Sequence, residues 1–504
     1  MKKIFFLLLF HFSLMIHAQS EYVLMGYDYR NNYENYILNN NINAHLLHAP
    51  FIIHSAFVKD SSRMYESKKS YNQLWKKILF ADNLIHVNKD VELRIDPVLD
   101  FNYGKQIKGV DKSIFQNTRG FQLQINFNKK FYVFSDFREN QAIIPEYLKN
   151  YVDNRSVFLG QGRTKPFKDG GFDYANASGY ASFSPSKTFN VTFGNGKQFI
   201  GNGFRSMILS DNTHNYLSLK FTSHWFKQKL QWIVNYSSLV DLERMPFSVS
   251  AEALFKKKEM IYQSFNYLVN DKLSVGIVSM ALIKRYDDSL YSQKMEIVNY
   301  LPIPFLTNVL EINNPLSINS FVGLNLSYKV FESGFLYGQF VYDNIDKKAY
   351  QLGFKYYSLF NVEGLDVRFE YNQSSSQMYQ STEFRQNFIQ NNLPLAHVLG
   401  NNFKELIVQF DYQYKKIGMH LQTQLYNANV DEITNYSSIF NSSDNASLVS
   451  KKVMNIYGNL FYRVNPYNNL KIYMGAGYRS ESVNKQIYFN VGVSTLLTNI
   501  YKGI

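Results

Sequence analysis

AYQLGFKYYSLFNVEGLDVRFEYN, residues 349–372, carries the period that decides the fold. Tyr350, Leu352, Phe354 and Tyr356 fall on one face of an extended chain, and Gln351, Gly353, Lys355 and Tyr357 on the other. Asn361, Val362, Glu363 and Gly364 then supply turn chemistry. Leu365, Val367, Phe369 and Tyr371 resume the apolar face, against Asp366, Arg368, Glu370 and Asn372. Side chains on a strand alternate with period two, so the stretch predicts a β-hairpin with one greasy and one polar face.

The same alternation runs from about residue 90 nearly to the end, in eighteen candidate strands of roughly ten residues. Ten residues span a bilayer when the strand is tilted. The connections are out of balance. Those after even-numbered strands are short, such as Asn128-Lys129-Lys130, Asn270-Asp271-Lys272 and Glu332-Ser333-Gly334. Those after odd-numbered strands are mostly long: 103–118, 139–173, 198–214, 240–257, 285–317, 374–402 and 428–451. Short turns at one end and long loops at the other mark an outer-membrane barrel. Closure removes every unpaired strand edge, which hydrocarbon does not tolerate. An even strand count puts both termini on the short-turn side, the periplasm.

Composition agrees with this class. Among 504 residues there are 42 Phe, 39 Tyr and no Cys, so thiolate metal sites and disulfides are excluded. Lys2 and Lys3 precede an apolar run from Ile4 to Ile16, then His17 and Ala18. That pattern predicts a signal peptide over 1–18. Residues 19–88 lack the strand period. SYNQLWKKILFADN, residues 70–83, places Leu74, Ile78 and Leu79 at helical spacing, and a second short helix is expected near 41–48. The expected organisation is an all-β, eighteen-stranded antiparallel transmembrane barrel over 89–504, behind a small periplasmic helical segment over 19–88. A formal net charge of +13 favours polyanionic partners, namely surface polysaccharide and the lipopolysaccharide of the outer membrane. The basic residues are scattered, which argues against nucleic acid.

The most distinctive stretch outside the strands is FGNGKQFIGNGFRSMILSDNTHNY, residues 193–216. Its glycines permit close approach to a polar partner. Lys197, Asn202, Phe204, Arg205, Asp211 and Asn212 suit glycan contact, by hydrogen bonds plus stacking on a ring. A loop folded back into the barrel mouth is the competing reading. Ser210, Asp211 and His214 are too close in sequence to form a catalytic relay. Asp366, Arg368 and Glu370 stand in mid-strand, where a lipid-facing charge would be costly, so they are expected in the lumen. No catalytic residue, metal site or cofactor is implied.

The Gly-Lys-x-Phe-x-Gly-x-Gly-x-Arg-Ser core at 196–206 and the Leu-Ser-Asp-Asn at 209–212 resemble the capsule assembly protein family, the Wzi-like outer-membrane proteins. The resemblance implies a non-enzymatic barrel that holds capsular or slime polysaccharide at the cell surface through its extracellular loops. It also reaches relatives associated with gliding motility, which would bring motility or secretion proteins as partners. A passive porin or substrate channel is the remaining alternative.

Overall fold

The computed structural model describes residues 20–23, 30, 31, 33–35, 37, 44–54, 72–81, 84–88, 90–244, 255–285, 296–343, 347–381, 383–432, 437–440, 447–482 and 484–495. The expected signal peptide lies outside these residues.

Alternating chemistry builds a closed wall. Its strands are β1 (Val91–Lys108), β2 (Lys112–Phe127), β3 (Phe131–Ile143), β4 (Gly171–Ser186), β5 (Phe189–Gly196) and β6 (Tyr216–Trp225). Next come β7 (Leu230–Arg244), β8 (Phe255–Leu268), β9 (Leu273–Lys284), β10 (Ile318–Phe331), β11 (Gly334–Asp343) and β12 (Lys348–Tyr356). The last six are β13 (Leu365–Ser374), β14 (Phe403–Tyr414), β15 (Ile417–Asp431), β16 (Leu448–Asn465), β17 (Leu470–Glu481) and β18 (Asn484–Ser494). Each pairs antiparallel with its sequence neighbour, and β18 pairs with β1. The result is an eighteen-stranded antiparallel barrel with no long open edge.

The turn phase is kept. After β2, Asn128 and Lys129 take φ of 51° and 54°, the left-handed geometry a tight hairpin needs. One expected long loop is absent. Residues 103–118 are not a loop, because β1 and β2 run on to Lys108 and from Lys112. Their outward positions turn polar at Lys105, which hides the alternation in the sequence. A strand that outgrows the hydrocarbon can carry charge on both faces.

On the outside, Leu352, Phe369, Leu324 and Phe340 are exposed to the bilayer. Leu352 sits mid-strand and faces Tyr371 across the β12–β13 pair. Replacing Leu352 by Arg should cost about 2–4 kcal/mol, the penalty for a cation near the bilayer midplane. Equilibrium refolding into lipid vesicles across a denaturant series would measure it. A loss under about 0.5 kcal/mol would mean this face does not meet lipid.

The inside is not hollow. Three segments fill it. Residues 197–215 fold inward from the end of β5. Residues 375–381 and 383–402 fold inward after β13. Part of the N-terminal segment enters as well. Together they bury Leu47, Ile200, Met207, Leu209, Tyr379, Phe388 and Leu395 in one apolar core within the wall. A second cluster forms at the long-loop end, where α2 (Glu146–Arg155) packs Leu148 and Val152 with Leu159, Leu393 and Val398.

The N-terminal segment therefore divides. The helix α1 (Leu74–Phe80) sits at the short-turn end, where Asn465 and Asn468 donate to the Ile78 carbonyl at 2.8 and 2.7 Å. Residues 44–49 and the helical residues 30, 31, 33–35 and 37 lie inside the barrel instead. This corrects two expectations for 19–88: it is not wholly outside the wall, and 44–49 is extended, with His48 and Ala49 pairing against Ile200 and Phe199. The physical reason is that a polar lumen accepts a polar segment without an apolar period.

Candidate functional site

The inward face of β10 to β13 is built to hold a backbone. Glu370 Oε2 accepts the Phe204 N–H at 2.6 Å and the Tyr337 hydroxyl at 2.7 Å. Its Oε1 accepts the Arg205 N–H and the Asn372 amide, each at 3.0 Å. Gln339 donates to the Ile200 carbonyl and accepts the Met207 N–H, at 2.9 and 2.8 Å. Gln351 donates to the Arg205 carbonyl at 2.9 Å. These contacts explain two glycines. A Cβ on Gly203 would lie 2.6 Å from Glu370 Oε2 and 2.7 Å from the Arg205 carbonyl oxygen. A Cβ on Gly353 would lie 2.1 Å from the Tyr337 ring, which crosses that position to bring its hydroxyl to Glu370.

The wall's polar layer continues past Glu370. Asn372 also donates to Glu405 Oε2 at 2.9 Å, and His397 Nε2 donates to the same oxygen at 2.7 Å. Gln424 donates to Glu405 Oε1 at 2.6 Å, and Arg205 Nε stands 3.7 Å from it. The imidazole of His397 stacks on Phe403, 4.2 Å between ring centres. Burial holds the His397 pKa below its usual value, although Glu405 opposes this.

Of the residues expected to meet a ligand, Asn202, Arg205, Asp211 and Asn212 are buried inside the barrel. Asn202 accepts from Asn325 at 2.9 Å, and Asn212 donates to the Pro394 carbonyl at 2.6 Å. Phe204 is half-buried, with Arg205 packed over its ring at 4.9 Å. Lys197 donates to the Gly160 carbonyl, and burial brings its pKa down to about 8 against the pull of Asp211. His214 hydrogen-bonds the Gln161 carbonyl through Nδ1. The 197–215 segment is thus an inner layer of the plug, bonded to the wall and to two other loops.

Asp366, Arg368 and Glu370 all point to the interior, at different depths. Asp366 lies near the short-turn end and accepts the Ser358 N–H at 3.0 Å. Arg368 donates to Asn31 at 2.8 Å. Beside it Glu34 accepts from Lys355 at 2.5 Å and Tyr357 at 2.9 Å. Burial alone would raise the Glu34 pKa, but Lys355, Arg30 and Arg368 outweigh it and hold the carboxyl below its usual range. Among the described residues no group of three or more His, Asp or Glu is placed to hold a metal ion.

A recess remains at the long-loop end. It has a volume of about 270 Å³ and is lined by Phe384, Phe440, Arg155, Arg385, Asp241 and Asn392 among others. Arg155 packs on the rings of Tyr151 and Phe440, at 3.8 and 4.8 Å. Asp241 is anchored by Lys258 at 3.0 Å. Two aromatic faces beside cations and amides can stack on a ring and hydrogen-bond hydroxyl or carboxylate groups. The lining comes from α2, from β7 and from two later connections of the chain, so no sequence spacing announces it.

No protein-family model matches the sequence, and no curated protein matches it. In fold the chain is similar to Wzi of Escherichia coli, described as an outer-membrane protein involved in group 1 capsule assembly and a carbohydrate-binding β-barrel. The alignment covers 94% of this chain and 98% of that one, with a TM-score of 0.55 and 12% identity. The fold is an outer-membrane β-barrel. OpdK and OpdQ of Pseudomonas aeruginosa each align over 81% of this chain and 98% of their own. Their TM-scores are 0.45 and 0.44, at 11% and 14% identity. At such identities the likeness is one of fold.

Proposed function

We propose that this barrel is a non-conducting outer-membrane protein that binds or organises surface polysaccharide at its long-loop end. The observation that carries the reading is the filled interior. Residues 30, 31, 33–35, 37, 44–49, 197–215, 375–381 and 383–402 lie in the lumen and bond to its wall and to one another, so this part of the fold closes the barrel. Among the described residues a recess stays open on the long-loop side, lined by rings, cations and amides that suit a sugar. Short turns point to the periplasm, so this side faces outward. The sequence resemblance at 196–212 and the net charge of +13 support the same reading, the latter for an acidic glycan. A porin would need the plug to leave. Among the described residues no contact favours a motility partner.

Purified protein should bind the host's own capsular or slime polysaccharide in isothermal titration calorimetry. Changing Phe440 and Arg385 to Ala should weaken that binding about tenfold, the effect of removing one aromatic and one cationic contact. Absence of binding by the unaltered protein would end the polysaccharide reading.

A further inference from the structure

The lipid-facing wall carries a row of groups that hydrocarbon contact does not explain. Lys404 on β14 stands opposite Asn427 on β15, which stands opposite Lys452 on β16. All three side chains are exposed, while their in-strand neighbours Glu405, Ala428 and Val453 are buried on the inner face. Neighbouring strands are spaced about 4.8 Å, so the two lysines stand about 10 Å apart with the asparagine between them. One pleat toward the short-turn end lies a second row: Tyr371, Leu406, Leu425, Met454 and Ser480, each opposite the next. Both rows line a groove of about 540 Å³ on the outside of the barrel.

Depth in the membrane follows from cost. A lysine near the midplane of a barrel costs about 2–4 kcal/mol, and next to nothing at the interface. Lys404 is one residue inside the start of β14, and Asn402, Asn429 and Ser450 lie one pleat further toward the long loops. The lysines therefore sit at headgroup level and the apolar row at acyl level. The inner-face Lys451 is paired with Glu481 at 2.5 Å, whereas neither Lys404 nor Lys452 has a carboxylate partner among the described residues. Two unneutralised cations above an aliphatic strip match an anionic headgroup carried on acyl chains. A free anion would leave the strip unused, and a plain acyl chain would leave the cations unused.

We propose that this groove binds a phosphorylated, acylated glycolipid of the outer leaflet, with phosphates on Lys404 and Lys452 and an acyl chain along Leu406, Leu425 and Met454. The proposal rests on the long-loop end facing outward, but not on the polysaccharide recess.

The test uses the full chain in detergent, with lipid retention read by native mass spectrometry. The probe is bisphosphorylated lipid A without any attached polysaccharide, so the result is independent of capsule binding. Its dephosphorylated form, phosphatidylglycerol and inorganic phosphate are the comparisons. Bisphosphorylated lipid A should be retained. Retention should fall about thirtyfold in a Lys404→Gln, Lys452→Gln variant, the loss of two lysine–phosphate contacts at a membrane surface. It should survive Lys404→Arg with Lys452→Arg, and also Lys257→Gln on β8. Equal retention of the dephosphorylated form by the unaltered protein would overturn the proposal, as would equal retention of phosphatidylglycerol, displacement by inorganic phosphate, or an unaffected double Gln variant.

Discussion

Glu370→Ala should turn a silent barrel into a conducting one. In planar bilayers the unaltered protein is expected to give no stable open current, and the variant to give bursts of large conductance. The reason is the number of groups that one carboxylate satisfies. Phe204 N–H, Arg205 N–H, the Tyr337 hydroxyl and the Asn372 amide all point at Glu370, within 2.6–3.0 Å. Removing the acceptor takes away the one carboxylate that these four donors share in a water-poor interior. Breaking such a buried charged network costs about 3–5 kcal/mol, softened where water can enter. The 197–215 segment can recover its hydrogen bonds by leaving the wall, and the lumen opens as it does. Gly203→Val reaches the same end by another route, because its side chain has no room beside Glu370 and the Arg205 carbonyl. Heat-modified electrophoretic mobility would report whether the barrel itself is intact. A folded Glu370→Ala barrel that stays silent would show that the plug does not depend on this clamp.

Acid should loosen the N-terminal part of the plug. His45 Nε2 donates to the Gln228 carbonyl at 2.8 Å, and its Nδ1 accepts from the Asn266 amide at 3.0 Å. Only the neutral ring fits both partners, and burial brings its pKa down to about 4. His48 is buried against Ser264 and Tyr262, and burial with the nearby Lys220 holds its pKa well below the ordinary value of 6.5. Both rings take up a proton more readily once released. Their contribution is complete above about pH 6.5 and is lost as the pH falls toward 4. At pH 5, His45 alone should cost the docked segment roughly 2 kcal/mol. Glu34, held below the usual carboxylate range, keeps its ion pairs through that window and does not oppose the effect. Limited proteolysis within residues 20–60 should be slow at pH 7.5 and fast at pH 5. A His45→Gln, His48→Gln variant should lose the difference. Equal protection of the unaltered protein at both values would rule the mechanism out.

The wall was legible because one rule governs it. Each lipid-facing strand must alternate, and each short turn must carry Asn, Gly or Lys, as at Asn128–Lys129 and Gly364. The rule failed where the bilayer ends, in the extended arms of β1 and β2 and again at the outward Lys404, Asn427 and Lys452 of β14 to β16. The plug obeys no such period. Arg30, Glu34 and His48 satisfy partners on strands far along the chain, and a polar lumen imposes no apolar pattern on what enters it. In the 193–216 stretch the glycines rightly announced close approach to a polar partner, but that partner is the barrel's own wall at Glu370. Asn202, Arg205, Asp211 and Asn212 carry sugar-binding chemistry and spend it internally. Arg155, Asp241, Arg385 and Phe440 come together only through the fold, so their recess had no sequence signature.

The placement of Arg30, Asn31, Glu34 and residues 44–49 also orders the protein's assembly. These residues are made before any strand of the wall, yet Arg30 bonds to Gly201, Asn31 to Arg368, and Glu34 to Lys355, partners 171 to 337 positions later. None of those docking points exists until the middle strands are paired. These residues must therefore wait to dock while the cylinder is laid down around the space they will fill. A late event of folding thus uses residues that precede every strand of the wall in the chain.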